Sequence, residues 1–283
     1  MEIRSLSETG FDVLFKAFEQ AFADYEVQLD KIQLKTMLKR RGFNTDLSFA
    51  AFEGNEVVSF TCNGIGNFNG IYTAYDTGTG TLKEYRGQGL ATKIFNHSIP
   101  YLKEAGVKQY LLEVLQHNAR AVSVYRKIGF EVSREFNYFQ QKNLEVRNGE
   151  LFPDLPYTIH SIDINDYDGL YAFWNFEPSW QNSFEAIRRS AEDFIFLGVF
   201  DGKDLIGYCV FDPISGDVTQ IAVDKNYRRK GVASVLLGEM LRLNKHDSIK
   251  VINTDVNCDL ISGFLKAKSI DLRGKQFEMI KLI

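Results

Sequence analysis

Residues 79–91 have the sequence TGTLKEYRGQGLA, and this stretch indicates how the rest of the chain is organised. Its first four residues favour a strand, and two glycines follow within residues 86–89. Apolar residues then recur at a helical spacing, beginning with Leu90, Ile94 and Phe95. We therefore predict a strand, a turn and a helix N-terminus. Such a turn leaves backbone N–H groups free beside the positive end of a helix dipole, which suits a pyrophosphate.

The motif Arg86-x-x-Gly89-x-Ala91 resembles the acyl-CoA-binding signature of the GCN5-related N-acetyltransferases, the GNAT family. A glycine-rich turn that caps an ordinary helix would give the same short pattern. A second copy decides between the two, because Arg228, Gly231 and Ala233 repeat the motif at a constant offset of 142 residues. A motif that recurs with its surroundings at a domain-length interval predicts two copies of one unit.

The resemblance covers nearly the whole chain of 283 residues, a length that fits two domains. It implies an α/β chain of two tandem acyl-CoA N-acyltransferase folds, each a twisted mixed sheet flanked by helices. We predict an N-terminal domain at 1–145, a linker at 146–156 and a C-terminal domain with a degenerate motif at 157–283.

Hydrophobic periodicity and turn residues place the elements within these ranges. In the first domain we predict strands at 2–6, 47–52, 57–62, 70–81, 108–115 and 134–140, and helices at 11–25, 29–38 and 87–105, with another opening at Asn118. In the second we predict strands at 157–162, 194–200, 205–211 and 218–223, and helices at 170–174 and 184–189.

Charge and composition exclude several functional classes. The chain has 33 basic and 37 acidic residues, and neither half is basic, so we expect no nucleic-acid partner. Apolar runs fall far short of the roughly 20 residues that span a membrane, so we expect no membrane partner. Three widely spaced cysteines (Cys62, Cys209, Cys258) predict buried thiols in a reducing compartment, and hence a cytoplasmic protein. Four scattered histidines lack ligand spacing, so we predict no metal.

The resemblance implies acetyl-CoA as co-substrate and a binding surface made by the strand end, the loop and the helix start. Backbone groups of the strand would hold the pantetheine arm, and one N–H there would polarise the thioester carbonyl. The candidate cofactor-binding residues are Thr79, Gly80, Thr81, Leu82, Arg86, Gly87, Gln88, Gly89, Leu90, Ala91, Asn118 and Tyr125.

Two residues of the first domain match the family's catalytic positions. Glu113 lies on the strand after the motif helix, where the family often has a general base that acts through water. Tyr125 follows twelve residues later, where the family often has the acid that protonates the departing thiolate. Three structural alternatives stay open: a solvated strand residue for Glu113, a packed aromatic for Tyr125 and a helix N-cap for Asn118.

The second domain departs from this pattern, because no tyrosine occurs after Tyr227. Asp255 is the candidate for the place of Glu113, and Asn257 or Cys258 for that of Asn118. An aromatic cluster in this domain predicts a core more than an acceptor pocket or an interface; its members are Phe173, Trp174, Phe176 and Trp180. The residues of a candidate second CoA site are Ile221, Val223, Arg228, Arg229, Lys230, Gly231, Val232 and Ala233.

We thus predict an N-acetyltransferase that moves an acetyl group from acetyl-CoA to a primary amine by direct attack on the thioester, with the N-terminal domain catalytic. The alternatives are an active C-terminal domain, a non-catalytic CoA-binding scaffold, and an enzyme with another acyl group or acceptor, as in tandem relatives that build thiol cofactors or transfer amino acids. The acceptor is open; Phe22, Tyr25, Tyr72 and Tyr138 are candidates to line its site. The oligomeric state is open as well.

Overall fold

The computed structural model describes residues 1–25, 28–148 and 156–283, so most of the predicted linker lies outside the described residues. Contacts divide the chain into two compact units, neither continuous in sequence. Unit 1 comprises Met1–Ser133, Phe184–Ser190 and Phe277–Ile283, and unit 2 comprises Arg134–Ser183 and Ala191–Gln276. The predicted ranges 1–145 and 157–283 follow the sequence repeat instead, and as domain boundaries they stay a prediction.

Unit 1 is built around a mixed sheet in the order β1-β2-β3-β4-β5-β12. Strands β1 to β4 are antiparallel neighbours, and β4 runs parallel to β5. Its elements are β1 (Glu2–Ser5), α1 (Phe11–Ala21), α2 (Lys31–Arg40), β2 (Phe49–Glu53), β3 (Glu56–Phe68), β4 (Ile71–Thr81), α3 (Leu90–Glu104), β5 (Gln109–Leu115), α4 (Ala119–Lys127), the short α5 (Phe184–Arg189) and the end of β12 (Asp271–Leu282).

Unit 2 repeats this plan with the sheet order β6-β11-β10-β9-β8-β7. Its elements are β6 (Glu131–Lys142), most of which belongs to this unit, β7 (Thr158–Ser161), β8 (Ile195–Asp201), β9 (Asp204–Asp212), β10 (Asp217–Val223), α6 (Val232–Leu243), β11 (Ser248–Asp255), α7 (Asp259–Ala267) and the first part of β12. Short 3-10 turns at Leu170–Phe173 and Trp180–Asn182 occupy the segment before α5. The helix predicted at 170–174 is therefore only a 3-10 turn.

Local sequence explains where the helices begin. Asp30 accepts hydrogen bonds from the backbone N–H groups of Ile32 and Gln33, and the Gln33 side chain bonds back to the Asp30 N–H, so α2 starts in a capping box. Helix α3 instead starts after Gly89, whose φ of 73° is a left-handed conformation that glycine adopts without strain. The glycine of the motif thus sets the direction in which α3 leaves the loop.

The last strand of each sequence repeat is not where the order of the chain predicts it. The sequence predicts that residues 134–140 close the first domain, but Arg134–Ser183, which contains them, belongs to unit 2. The Phe277–Ile283 segment completes unit 1 beside β5, where the Ile283 N–H donates to the Lys108 carbonyl at 3.1 Å. Met279 is fully buried there, in the cluster that contains Phe95. The sequence repeat alone does not reveal that the end of the chain, and not residues 134–140, completes unit 1.

The burial of the cysteines and tryptophans bears on the predictions made from the sequence. All three cysteines are buried free thiols, as predicted. Trp180 is 1% exposed and belongs to the core, whereas Trp174 is half-buried. Helix α1 ends at Ala21, four residues earlier than predicted. Within the described ranges, no helix is long and apolar enough to cross a membrane.

Candidate active site

In unit 1, strands β4 and β5 stop pairing before β4 reaches the motif loop, and we call the opening between their unpaired ends the cleft. Their parallel pairing extends only from Thr73 with Gln109 to Tyr75 with Leu111. A β-bulge follows in β4, where the pairing with β3 shifts between Asp76 and Gly78, so Thr77 is the extra residue. Bulges re-aim side chains and end pairing, and here the bulge stands where β4 leaves β5.

The motif loop has the geometry of an anion site. Gly87 and Gly89 both adopt left-handed conformations, with φ of 82° and 73°, and no atom lies within 4 Å of a Cβ built on either. Among the described residues, none accepts a hydrogen bond from the backbone N–H groups of residues 87–91. The loop therefore presents unpaired donors at the positive end of α3, which fits a pyrophosphate group.

Arg86 does not point into this loop. Its Nε donates to the Thr81 carbonyl at 3.1 Å, one terminal nitrogen donates to the Ala21 carbonyl at 2.9 Å, and the other contacts Asp24 at 3.1 Å. These contacts tie the start of the loop to the end of β4 and to the end of α1. In this structure the arginine of the motif shapes the loop, and the backbone N–H groups supply the free donors.

Several side chains at the end of β4 and the start of α3 are packed into the core. The Leu82 N–H donates to the Val58 carbonyl at 3.0 Å, so it is not free to polarise a thioester. A Cβ on Gly80 would lie 2.5 Å from the Phe60 ring, and Leu90 is a buried core residue. The Thr81 hydroxyl is shared with Ser59 at 2.8 Å. Half-buried Ala91 is the second residue of α3, and the exposed Gln88 lies in the loop.

Tyr125 lies in a half-buried hydrogen-bonded cluster with Asp76, a residue that the sequence analysis missed. The Tyr125 hydroxyl donates to Asp76 Oδ2 at 3.0 Å, and the Thr79 hydroxyl donates to the same oxygen at 2.8 Å. Burial, and then the Asp76 charge, raise the pKa of Tyr125 well above its ordinary value. A phenol in this environment stays protonated, so its proton is available at neutral pH for transfer to a strongly basic group.

Burial also raises the pKa of Asp76, although hydrogen bonds from Thr79, Tyr125 and Gly78 and the charge of Arg41 oppose the rise. A signal for this residue exists in the sequence, because Asp76 is the only charged residue between Glu56 and Lys83. A single carboxylate inside a long uncharged strand pair is costly to bury without a role.

Glu113 and Asn118 occupy the neighbouring elements. Glu113 is half-buried on β5 and makes a hydrogen bond with Tyr75; burial, and then the charge of Glu113, raise the pKa of that phenol well above its ordinary value. Asn118 accepts from the Ala121 N–H at 3.1 Å, which confirms the predicted N-cap of α4. Among the acceptor candidates, Tyr25 is 47% exposed and its charge affects the pKa of Tyr125, whereas Tyr138 belongs to unit 2.

Unit 2 repeats the cleft and the loop. Strands β10 and β11 pair only at Asp217 with Lys250, and a bulge at Thr219 corresponds to the one at Thr77. Gly231 has φ of 90°, and Arg229 takes the place of Gly87 with φ of 62°. A left-handed arginine is strained, and such strain collects at functional sites. Here it holds a cation in the motif loop of unit 2.

A cavity of about 400 Å³ lies between the separated strands and the loop of unit 2. Trp174 and Phe176 form part of its wall, so the aromatic cluster is divided between this cavity and the core. Seven residues of the candidate second CoA site line it: Ile221, Val223, Arg228, Arg229, Gly231, Val232 and Ala233. The remaining one, Lys230, lies over the Tyr227 ring at 4.8 Å.

The model of the acetyltransferase (GNAT) family matches residues 11–130 and 158–260, more than half of the chain and both copies of the motif. The chain belongs to the GNAT acetyltransferase family. This is a family of acyltransferases, and its two matched regions agree with the predicted tandem arrangement.

Curated relatives of this GNAT chain are N-acetyltransferases. It is 39% identical over 59 residues to N-alpha-acetyltransferase 30 of Schizosaccharomyces pombe, covering 20% of this chain and 39% of that protein. It is 27% identical over 108 residues to N-alpha-acetyltransferase MAK3 of Arabidopsis thaliana, covering 38% of this chain and 57% of that protein. The matches thus span about two fifths and rather more than half of these relatives.

Solved structures share the fold over the whole chain. A tandem GNAT protein from the clavulanic acid biosynthesis pathway has a TM-score of 0.74 at 11% identity, covering 99% of this chain and 98% of that one. A GCN5-related N-acetyltransferase from Sphaerobacter thermophilus has a TM-score of 0.70 at 11% identity, covering 99% and 95%. The fold is therefore that of two tandem GNAT units, as predicted.

The two GNAT units differ at the positions of Asp76, Glu113 and Tyr125. Matching bulges place Val218 where unit 1 has Asp76. Beyond the motif helices, equivalent residues of the two units are 140 positions apart, whereas the two motifs are 142 apart. The matching turns before α4 and α7 establish this, because the Asn118 N–H donates to the Leu115 carbonyl and the Cys258 N–H donates to the Asp255 carbonyl. This register puts Asn253 at the place of Glu113 and Leu265 at that of Tyr125.

The interpretation of Asp255 as the counterpart of Glu113 is therefore wrong. Asp255 accepts from the Asn257 N–H at 2.8 Å and so stabilises the turn before α7. Cys258 is the N-cap residue of α7 and makes no side-chain cap. A constant offset carried past the shorter motif helix of unit 2 produced the error.

Proposed function

We propose that this GNAT chain is an acetyl-CoA-dependent N-acetyltransferase in which unit 1 performs the transfer to a primary amine by direct attack on the thioester. The observation that carries the proposal is the pair Tyr125 and Asp76, a protonated phenol held by a half-buried carboxylate beside the cleft of unit 1. At the corresponding positions unit 2 has only leucine and valine.

In the proposed mechanism, the N–H groups of residues 87–91 and the dipole of α3 bind the pyrophosphate of acetyl-CoA. The two reactants are then held in line, which supplies much of the rate. Glu113 takes a proton from the amine, directly or through water, and Tyr125 gives its hydroxyl proton to the departing thiolate. Tyr25, exposed and near Tyr125, lines the approach of the amine.

Unit 2 holds CoA without chemistry in this proposal. The described lining of its cavity includes Arg228 and Arg229 but no carboxylate, imidazole or thiol, and its one phenol, Tyr227, donates to Asp201 at 3.0 Å. Amides and hydroxyls line the separated strands instead; for example, Asn253 donates to Ser179 at 2.9 Å. Such a site can bind an acyl-CoA, but it lacks a group to accept or supply a proton.

The acceptor class follows from the relatives, two of which are N-alpha-acetyltransferases. We propose a peptide α-amine as the first acceptor to test. A cytoplasmic location, where acetyl-CoA is available, accords with the three free buried thiols. Nucleic acid and membrane are not needed as partners.

The test measures release of CoA thiol from acetyl-CoA with three probes: a short peptide with a free N-terminus, a polyamine and an amino sugar. Turnover with any of them that falls in Tyr125→Phe supports the proposal. Turnover that survives Tyr125→Phe but falls when the loop of unit 2 is changed would move the active site to unit 2. No turnover and no acetyl-CoA binding would reject the enzyme and leave a scaffold.

A further inference from the structure

Asp76 is the centre of the proton-carrying cluster in unit 1. Its Oδ2 accepts from the Thr79 hydroxyl at 2.8 Å and from the Tyr125 hydroxyl at 3.0 Å, while its Oδ1 accepts from the Gly78 N–H at 3.0 Å. The bulge at Thr77 produces this arrangement, because it directs the Asp76 side chain toward Gly78 and Thr79, two and three residues further along β4. The carboxylate and the phenol come from different elements, β4 and α4.

The charged and titratable groups around Asp76 come from every element packed against it. Arg41, after α2, donates to the Thr77 carbonyl at 3.1 Å and attracts the Asp76 charge. Cys62 on β3 and Tyr110 on β5 are buried, and burial followed by the charge of Asp76 raises the pKa of each. Tyr75 lies beside it on β4, in contact with Glu113. Arg41 is the one cation in this set, so burial of Asp76 is only partly compensated.

We propose that Asp76 is a positioning residue for Tyr125 and that its protonation state decides where the phenolic proton points. As a carboxylate, Asp76 accepts the hydroxyl proton and holds it away from the cleft. As a carboxylic acid, Asp76 donates to the phenolic oxygen and leaves the hydroxyl proton free to point at the departing thiolate. This inference rests on the proposed role of Tyr125 as the acid of unit 1.

The proton transfer balances without a further reactant. The Tyr125 O–H bond breaks as an S–H bond forms on the thiolate, and the proton of Asp76 moves to the phenolate oxygen. The negative charge that starts on sulfur ends on the Asp76 carboxylate. The Gly78 N–H and the Thr79 hydroxyl already donate hydrogen bonds to this carboxylate, and Arg41 is close by. The negative charge therefore forms where hydrogen-bond donors are already positioned to stabilise it.

The experiment compares pH profiles of kcat for the wild type and Asp76→Asn, alone and combined with Tyr125→Phe. Acetyl-CoA is the probe, with the amine that gives turnover. In the wild type, kcat should fall as Asp76 loses its proton with rising pH. Asp76→Asn should lower the low-pH kcat by about tenfold or more and remove that fall, because an amide orients the phenol but passes on no proton. In the Tyr125→Phe background, Asp76→Asn should change kcat by less than about twofold.

If Asp76→Asn does not fold, Thr79→Val provides a second test of the same proposal. Thr79→Val removes one donor from the carboxylate, which favours its protonated form and should move the fall in kcat to higher pH. Two results would overturn the positioning role of Asp76 and leave the acid role of Tyr125 standing. One is an effect of Asp76→Asn on kcat that is the same in the wild type and in Tyr125→Phe, and the other is a pH profile of kcat that does not move in Thr79→Val. Full activity of Tyr125→Phe would overturn both that role and the proposed function.

Discussion

Arg86 and Arg228 make the same contact in the two GNAT units. Each Nε donates to the carbonyl oxygen of the residue five positions earlier, Thr81 at 3.1 Å and Val223 at 3.2 Å. The arginine of the motif therefore braces the loop from behind in both copies. Charge reversal at Arg86 or Arg228 would disturb the loop itself, so binding is better tested at a neighbouring exposed position.

Gln88 and Lys230 provide that position, because both are exposed and occupy the same place in the two loops. We predict that Gln88→Glu abolishes acetyl-CoA binding to unit 1 and that Lys230→Glu abolishes it in unit 2, since each puts a carboxylate beside a pyrophosphate. Titration calorimetry of the wild type should give two sites, and each variant one.

Gln88→Ala and Lys230→Ala are the matched controls, which remove the side chain without adding negative charge. Each should retain both sites. One site in the wild type that only Gln88→Glu removes would restrict CoA to unit 1, and a site removed only by Lys230→Glu would restrict it to unit 2.

Tyr125→Phe should lower kcat by about 10² to 10⁴, the usual worth of a general acid, with little change in KM for acetyl-CoA. The phenol would act on the thiolate, which exists only after the thioester opens. Steady-state kinetics measure this split. Tyr101→Phe is the control, because Tyr101 is 45% exposed on α3, and it should leave kcat unchanged. A rise in KM alone would make Tyr125 a binding residue.

The motif, its repeat and the fold could be predicted from the sequence because they depend on local patterns. The strand, glycine turn and helix at residues 79–91 are set by neighbouring residues, and the offset between copies needs only counting. The N-cap Asn118 was predicted for the same reason, since a cap is bonded within three residues.

Two features could not be obtained in this way, because they join distant parts of the chain. Asp76 meets Tyr125 across 49 residues, and the bulge that turns it inward has no local sequence signature. The register of unit 2 beyond its motif depends on the shorter α6, so a fixed offset selected Asp255 where the structure places Asn253. The end of β12 pairs by tertiary contacts that no periodicity reports.

Asp76 should make stability depend on pH. Its pKa is raised in the folded chain, so above its unfolded value of about 3.9 the folded chain keeps a proton that the unfolded chain has lost. Its contribution to stability is therefore present at low pH and is lost as pH rises through the raised pKa. The slope cannot exceed about 1.4 kcal/mol per pH unit.

Urea unfolding of the wild type and Asp76→Asn between pH 4 and 7 would measure this effect, at pH values chosen within the folding range. The variant lacks the titrating group, so its free energy of unfolding should increase relative to that of the wild type as pH rises. Asp46→Asn, at an exposed position, serves as the control. A constant difference between wild type and Asp76→Asn would mean that the carboxyl titrates normally.

The end of the chain should be needed to fold unit 1. Met279 is fully buried in the cluster with Phe95 and Tyr110, although 164 or more residues separate it from each of the strands β1 to β5. Met279→Ala should cost about 2–5 kcal/mol, because it leaves a cavity in a packed core. Leu282→Ala, on the same strand but 77% exposed, should cost little.

A chain of residues 1–145 gives the stronger form of this prediction. It contains the whole first sequence repeat but lacks Phe277–Ile283, so the edge of β5 and the cluster around Tyr110 would be exposed. We expect no cooperative unfolding transition for this fragment by circular dichroism. If the fragment unfolds cooperatively and binds acetyl-CoA, β6 can replace β12, and unit 1 is independent of the chain end.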